Sequence, residues 1–269
     1  MIEQLRNTAR QLLQEGKVAV VIGYGRDEKM SRTYPAFVTA ADGVDELIFD
    51  ETCTFNLATY LNRAEVKALG KPAVVLKPVD ARAAVVLRQE SQFSADDVVL
   101  IGMATGEEDA NLADLVDIVI GEPSGQTPPA EERYARLNEF MKKSPEERMA
   151  YWREELGRCI KCYACRQVCP LCYCRVCIVD KNRPVEIVTS STPRGNFAWN
   201  IARAFHLAGR CVGCGQCTAA CPAGIDLALL NMAMAQAAEE EFDYRAGVDP
   251  QAEPIIGSYA EADKEEFIG

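Results

Sequence analysis

The stretch from Cys159 to Cys177 reads CIKCYACRQVCPLCYCRVC and contains seven cysteines in nineteen residues. Eleven of the twelve cysteines in the chain lie between Cys159 and Cys221. Cysteines packed this densely favour metal ligation, because a disulfide framework requires an oxidising compartment and is typical of small secreted domains. We therefore expect this region to fold around thiolate-bound metal.

Two segments of this region share one cysteine spacing. CIKCYACRQVCP and CVGCGQCTAACP both follow C-x2-C-x2-C-x3-C-P, the spacing of bacterial two-cluster ferredoxins. In that arrangement three neighbouring cysteines bind one 4Fe–4S cluster, and the fourth cysteine binds the other cluster. The spacing therefore predicts two 4Fe–4S clusters with crossed ligands. Cluster 1 is assigned to Cys159, Cys162, Cys165 and Cys221, and cluster 2 to Cys211, Cys214, Cys217 and Cys169.

Three cysteines, Cys172, Cys174 and Cys177, are left over by this assignment. Their C-x-C-x2-C spacing lacks a fourth ligand, and the only other cysteine in the sequence is Cys53. Three interpretations stay open: a third iron–sulfur cluster completed by Cys53, a zinc site, or thiols without metal beside the two clusters. The only histidine, His206, is expected to be structural, with tuning of a cluster as the alternative.

The net charge of −11 is unevenly distributed along the chain. From Cys159 to Asn231 there are eight Lys or Arg and three Asp or Glu, a balance of +5 that leaves −16 elsewhere. Positive side chains around iron–sulfur clusters offset the negative charge of the clusters and influence their potential. An acidic protein of this kind would be repelled by phosphates, so no nucleic-acid partner is expected.

The first 125 residues alternate strand-like and helix-like segments, which predicts an α/β domain with a mainly parallel sheet. Helices are predicted from Ile2 to Glu15, from Asn56 to Gly70, and over DARAAVVLRQE, opened by Asp80. The glycine turn after KVAVVIGYG is a weak dinucleotide fingerprint, because it lacks a third glycine and an immediate helix. The strand candidates are KVAVVIGYG, PAFVTA, ELIFD, PAVVLKP and DDVVLIGM.

Three further segments are predicted after the α/β domain of residues 1–125. Residues 126–157 form a helical connector, with Ser144 and Glu147 as a capping box. Residues 158–232 form a dicluster ferredoxin-like α+β domain with an insertion, in which VEIVTS is a strand candidate. Residues 233–269 form an acidic tail, either a solvated arm or a docking segment. The insertion also contains the helix NFAWNIARAFHLAG, with an expected apolar face of Phe197, Ile201, Ala204, Phe205 and Ala208.

The chain resembles the iron–sulfur β subunits of the deazaflavin-coenzyme hydrogenase and formate dehydrogenase family. The segments RCIKCYACRQVCPLCYCRVCIVD, ARAFHLAGRCVGCGQCTAACPAGIDLALLN and CTFNLATYLN carry the resemblance. Such subunits accompany hydrogenases, formate dehydrogenases or heterodisulfide-reductase-type complexes. The resemblance implies further N-terminal cysteines near KPVD and GMATG, where this chain has Pro78–Val79 and Ala104–Thr105 instead.

The expected function is electron transfer between a catalytic oxidoreductase subunit and a flavin or heterodisulfide-reductase-type partner, with no catalytic residue assigned. The alternative is a subunit that binds flavin or deazaflavin and itself oxidises or reduces a small electron carrier. No apolar run is long enough to span a membrane, and MIEQLRNTAR lacks the apolar core of a signal peptide. A cytoplasmic protein working in a redox complex is therefore expected.

Overall fold

The N-terminal part of the chain forms one five-stranded sheet, and the computed structural model describes residues 1–27 and 29–256. Its strands are β1 (Val20–Asp27), β2 (Arg32–Val38), β3 (Pro72–Leu76), β4 (Val99–Met103) and β5 (Ile118–Ile120). The strand order is β2-β1-β3-β4-β5, in which β1 and β2 are antiparallel and all other neighbours are parallel. The prediction of an α/β sheet with mainly parallel strands is confirmed.

The burial of each strand follows from its position in the sheet. The apolar strand β3 is central and buried at all five positions, as expected for a parallel strand covered on both faces. The edge strand β2 alternates in exposure over its first half and accommodates Pro35, because an edge strand can spare one backbone donor. Because β1, β3 and β4 are parallel, their carboxyl ends lie at the same end of the sheet, which we call its carboxyl edge.

Within the described residues the helices are α1 (Ile2–Gln14), α2 (Ala64–Leu69), α3 (Pro78–Gln89), α4 (Leu112–Leu115), α5 (Ala130–Arg133), α6 (Ala135–Met141), α7 (Pro145–Gly157), α8 (Ala164–Gln167), α9 (Pro193–Phe205), α10 (Gln216–Ala219) and α11 (Leu227–Phe242). Five of these helices have about three turns or more, namely α1, α3, α7, α9 and α11, and the others are short. The capping box predicted for α7 is confirmed, because Ser144 and Glu147 each accept a hydrogen bond from the other's backbone N–H.

Two predicted N-terminal elements differ from the structure. The single helix expected from Asn56 to Gly70 is a 3-10 turn at Leu57–Tyr60 followed by α2. It is interrupted at Arg63, which has an extended backbone and donates hydrogen bonds to Gln167 of the cysteine-rich region. The ELIFD segment is no strand and contributes one isolated bridge, between Ile48 and Tyr24.

The predicted α+β character of the dicluster region is not observed, because residues 121–256 contain no strand. The VEIVTS segment instead folds around Asn182. The side-chain oxygen of Asn182 accepts hydrogen bonds from the backbone N–H groups of Glu186 and Ile187, and its amide donates to the carbonyl of Val179. These bonds occupy the backbone groups that a neighbouring strand would otherwise bind.

The expected apolar face of α9 is only partly correct. Ala204 is buried, but Phe205 is 60% exposed. The helix instead buries Trp199, Asn200 and Arg203. A helix that buries polar side chains must supply partners for them, and the partners of Arg203 lie among the cysteines.

The predicted tail boundary at residue 232 falls inside α11, which continues to Phe242. The chain beyond α11 packs on α3, where Arg82 donates two hydrogen bonds to the carbonyl of Ala246 and Gln89 donates to the carbonyls of Asp249 and Ala252. This part is a docked segment, whereas the acidic ADKEEF stretch lies outside the described residues. None of the described helices is long and apolar enough to cross a lipid bilayer.

Candidate functional site

The two cysteine repeats adopt the same backbone conformation. In the first repeat Lys161 and Tyr163 have positive φ values of 53° and 60°, and in the second repeat the equivalent Gly213 and Gly215 have 78° and 72°. Such values are uncommon for residues with a side chain, so the first repeat holds its loop against some strain. Each loop then continues into a one-turn helix, α8 or α10. The sequence repeat is thus a structural repeat.

The four cysteines assigned to cluster 1 surround one cavity. Its wall also contains Trp199, Asn200 and Leu227, which shield the sulfur atoms from water on one side. On the other side Cys162 is exposed, so this site reaches the protein surface. The cysteines that line the cavity are Cys159, Cys162, Cys165 and Cys221.

A second cavity brings together the four cysteines assigned to cluster 2. This site lies against the α/β domain, since Cys211 and Cys214 pack on its apolar core and Gln216 donates a hydrogen bond to the carbonyl of Thr54. Because Cys214 also neighbours Asp80 at the start of α3, the site lies beside the carboxyl edge of the parallel sheet. The cysteines that line this cavity are Cys169, Cys211, Cys214 and Cys217.

Several N–H groups point at cysteine sulfur atoms in both cavities. The backbone N–H of Lys161 lies 3.4 Å from Cys159 Sγ, and that of Ile225 lies 3.4 Å from Cys221 Sγ. The side-chain amide of Asn231 lies 3.5 Å from Cys217 Sγ. Hydrogen bonds of this kind stabilise the anionic thiolate, which is the form that binds iron.

The donor set fits 4Fe–4S clusters. Burial raises the pKa of the Cys165 thiol to about 11 and that of Cys211 to about 12, so deprotonation of these thiols requires a compensating cation such as iron. The buried side-chain amide of Asn56 lies beside Cys214 and acts to lower the pKa of that thiol, against the burial that raises it overall. This amide is available as a donor to a cluster or its ligand.

Across residues 1–27 and 29–256, no three His, Cys, Asp or Glu side chains converge closely enough to hold one metal ion. In a cubane each thiolate binds a different iron, so the ligands are spread around the cluster. The lining of each cavity by four cysteines is compatible with this arrangement.

Arg203 connects the two sets of cysteines, and it was not identified from the sequence. Its side chain is buried, and its Nη2 donates to the carbonyl oxygen of Cys165 over 3.0 Å. Burial acts to lower the pKa of Arg203, but the surrounding sulfur groups, led by Cys169 and Cys165, raise it overall. The guanidinium therefore remains charged beside ligands from both assigned clusters.

A second network fixes the loop that contains the remaining cysteines. The carboxylate of Asp180 accepts one hydrogen bond from Trp199 Nε1 over 2.6 Å and another from Arg166 Nη1 over 2.9 Å. Arg166 also donates to the carbonyl of Cys174 over 2.9 Å. The loop is therefore tied to α8 and α9, which themselves carry cluster-site residues.

Cys53 and the remaining cysteines occupy different surroundings. Cys53 is 3% exposed in the apolar core, where its sulfur accepts from the backbone N–H of Asp50 over 3.4 Å. Cys172, by contrast, lies beside the positive charge of Arg203 and near Cys177. The structure brings Cys172 and Cys177 together but does not bring Cys53 to them. His206 is exposed at the end of α9, and its backbone carbonyl accepts from Arg210.

Comparison with known proteins finds a family model and curated relatives that each match part of the chain. A family model described as a 4Fe-4S dicluster domain matches residues 158–226. The F420-dependent formate dehydrogenase subunit beta of Methanocaldococcus jannaschii is 35% identical over 120 residues, which cover 44% of this chain and 31% of that protein. The F420-dependent formate dehydrogenase 1 subunit beta of Methanococcus maripaludis is 35% identical over 106 residues, which cover 39% of this chain and 27% of that protein.

The repeated loops, their cavities and the family match together define an iron–sulfur protein with a 4Fe-4S dicluster domain. The chain is related to the iron–sulfur β subunits of F420-dependent formate dehydrogenases, which confirms the resemblance stated above. The aligned region spans only about a third of the length of these curated relatives.

The crossed ligand sets can be tested by pairwise comparison of variants. We expect Cys221→Ser and Cys165→Ser to perturb the same cluster, because both residues line the first cavity. Cys169→Ser and Cys217→Ser should perturb the other cluster, because both line the second cavity. Electron paramagnetic resonance spectra of the reduced variants should therefore fall into two pairs. Spectra that pair Cys169→Ser with Cys165→Ser, as in an uncrossed arrangement, would contradict the assignment.

Replacing Arg203 with glutamine should shift the potentials of both clusters to more negative values. A buried positive charge stabilises the more negative reduced state, and Arg203 neighbours cysteines of both cavities. Redox titration followed by electron paramagnetic resonance measures each potential separately. Arg194→Gln, at an exposed position on the same helix, is the matched control and should change neither. A shift confined to one cluster would show that Arg203 does not act on both.

Proposed function

We propose that this chain is an electron-transfer subunit that holds two 4Fe–4S clusters in series. The observation that carries the proposal is the pair of adjacent cavities, each lined by four cysteines and joined by Arg203. When bound, the clusters would supply one-electron redox chemistry. The residues of the chain would hold them, exclude water from them and adjust their potentials.

A relay needs a separate opening toward each partner, and each cavity reaches the surface at its own place. The first cavity does so at the exposed Cys162. The second does so at Cys169, which also lines a groove between α2 and the segment around α8. Two openings at different places support passage of electrons through the chain between two partners.

The names of the curated relatives suggest one of these partners. Both relatives are β subunits of formate dehydrogenases, so we propose a formate-dehydrogenase-type catalytic subunit on one side. A flavin or heterodisulfide-reductase-type protein would exchange electrons on the other side. In this arrangement the α/β domain supports the second cluster and supplies surface for assembly.

We propose that Cys172, Cys174 and Cys177 remain thiols near the two cluster sites rather than complete a third cluster with Cys53. Cys172 lies beside the positive charge of Arg203, which also neighbours Cys169. Cys53 is enclosed in the α/β core, where its charged neighbours are Asp50, Lys77 and Arg26.

A second candidate function is binding of a flavin-type cofactor, which is favoured by one specific cavity. This cavity has a volume of about 310 Å³, within the range of small-molecule sites, and it adjoins Cys211. Its wall contains three arginines together with two glutamates, so the lining has a small excess of positive charge that suits an anionic group. These charged residues are Arg82, Arg133, Arg245, Glu108 and Glu132. A bound flavin here would exchange electrons with the second cluster.

Iron, acid-labile sulfide and flavin content of the anaerobically purified protein separate these proposals. We expect about eight irons per chain, as two cubanes require, no flavin, and the same iron content in Cys53→Ser. Cys214→Ser is the matched control that should lose iron, because Cys214 lines a cavity. About twelve irons, falling to about eight in Cys53→Ser, would instead establish a third cluster completed by Cys53. A stoichiometric flavin would support the second candidate.

A further inference from the structure

A surface groove with a basic lining separates the α/β domain from the cysteine-rich loop. One wall is formed by residues 59–67 and the other by residues 166–175, and the groove encloses about 690 Å³. Its charged lining consists of Arg63, Lys67, Arg166, Arg175 and a single acid, Glu65. The groove is therefore positive within a chain whose net charge is −11.

Contacts across the groove fix its shape. Arg63 donates to the carbonyl oxygen of Gln167 over 2.7 Å, and Thr59 donates to the same oxygen over 3.3 Å. Arg166 is held by Asp180 on the second wall. Lys67 and Arg175, in contrast, are exposed, one on each wall. The groove thus has a floor held by hydrogen bonds and two exposed positive side chains that a partner can reach.

The groove also leads to the second cluster site. Cys169, which lines the second cavity, is part of the groove lining together with Cys172 and Cys174. A partner in the groove would therefore lie next to a cysteine assigned to cluster 2. Short separation between donor and acceptor is what electron transfer between proteins needs, and a positive rim orients the approach of a negative partner.

We propose that this groove is the docking site for an acidic protein that carries one electron, such as a flavodoxin-type carrier. The inference rests on the proposed function and names the partner class at one end of the relay. The opposite charges of the groove and the carrier would increase the association rate and orient the carrier toward Cys169. Exposed charged walls suit a protein surface better than a small molecule, whose sites are mostly apolar and enclosed.

The test follows oxidation of the reduced holoprotein by oxidised flavodoxin in a stopped-flow instrument. One electron leaves the holoprotein, and flavodoxin takes it together with a solvent proton to form its neutral semiquinone, which is observed directly. The groove pair Lys67→Glu and Arg175→Glu should slow this reaction about tenfold or more at low salt and weaken its salt dependence. Wild-type iron content in the variant shows that the cluster sites are intact.

The control pair is Lys143→Glu and Arg153→Glu, which makes the same change in net charge at exposed positions of the helical connector. It should alter the rate by less than about twofold, because those charges are not in the groove. Equal slowing by both pairs would show that only net charge matters and would overturn the proposal.

Two small oxidants distinguish the remaining outcomes. Cationic hexaammineruthenium(III) should oxidise the wild-type protein and the groove variant without a loss of rate in the variant. If the groove variant slows anionic ferricyanide but not flavodoxin, the groove attracts small anions rather than a carrier protein, and the proposal is overturned. If hexaammineruthenium(III) oxidises the protein but flavodoxin does not, the docking proposal fails while the relay function stands. Failure of every oxidant to remove electrons would instead contradict the proposed function itself.

Discussion

The cysteine-rich half of the chain depends on a buried guanidinium surrounded by sulfur atoms. Arg203 is 4% exposed, and its main charged neighbours are Cys169, Cys165, Cys172 and Cys217. A buried cation requires anionic or hydrogen-bonding partners, and buried thiolates require a cation. The positive charge of Arg203 and the negative charge of the thiolates therefore reduce each other's free-energy cost of burial. Helix α9 meets both needs because it places Arg203 among the cysteines. The buried polar face of α9 follows from this pairing.

The position of Arg203 depends on the 41 residues between Cys169 and Cys211. They contain the turn around Asn182 and helix α9, which brings Trp199 against the first cavity and Arg203 between the two cavities. In place of the strands expected for a ferredoxin-like domain, this region has loops that are fixed by side-chain hydrogen bonds. A loop of the α/β domain then supports the second cavity, because Asn56 lies beside Cys214 and the carbonyl of Thr54 accepts a hydrogen bond from Gln216. The domain that contains no cluster motif thus forms part of a cluster site.

The sequence predicted the parts of this structure that depend on local pattern. Apolar runs identified the parallel strands, and the cysteine spacing identified two loops that share a conformation down to the positive φ at Lys161 and Gly213. Contacts between distant segments were not predictable in the same way. Arg203 follows Trp199 by four positions, and from sequence this spacing could equally describe a solvated helical face. The break at Arg63 depends on Gln167, which lies 104 residues away.

Anomalous diffraction at the iron edge, from crystals grown without oxygen, tests the central claim most directly. The account predicts two compact iron peaks, one in each cavity, with Cys221 completing the first site and Cys169 completing the second. An additional iron peak beside Cys172, Cys174 and Cys177 would contradict the assignment of those cysteines as thiols. Cys169 bound to the same iron group as Cys159, Cys162 and Cys165 would contradict the crossed arrangement on which the relay is based.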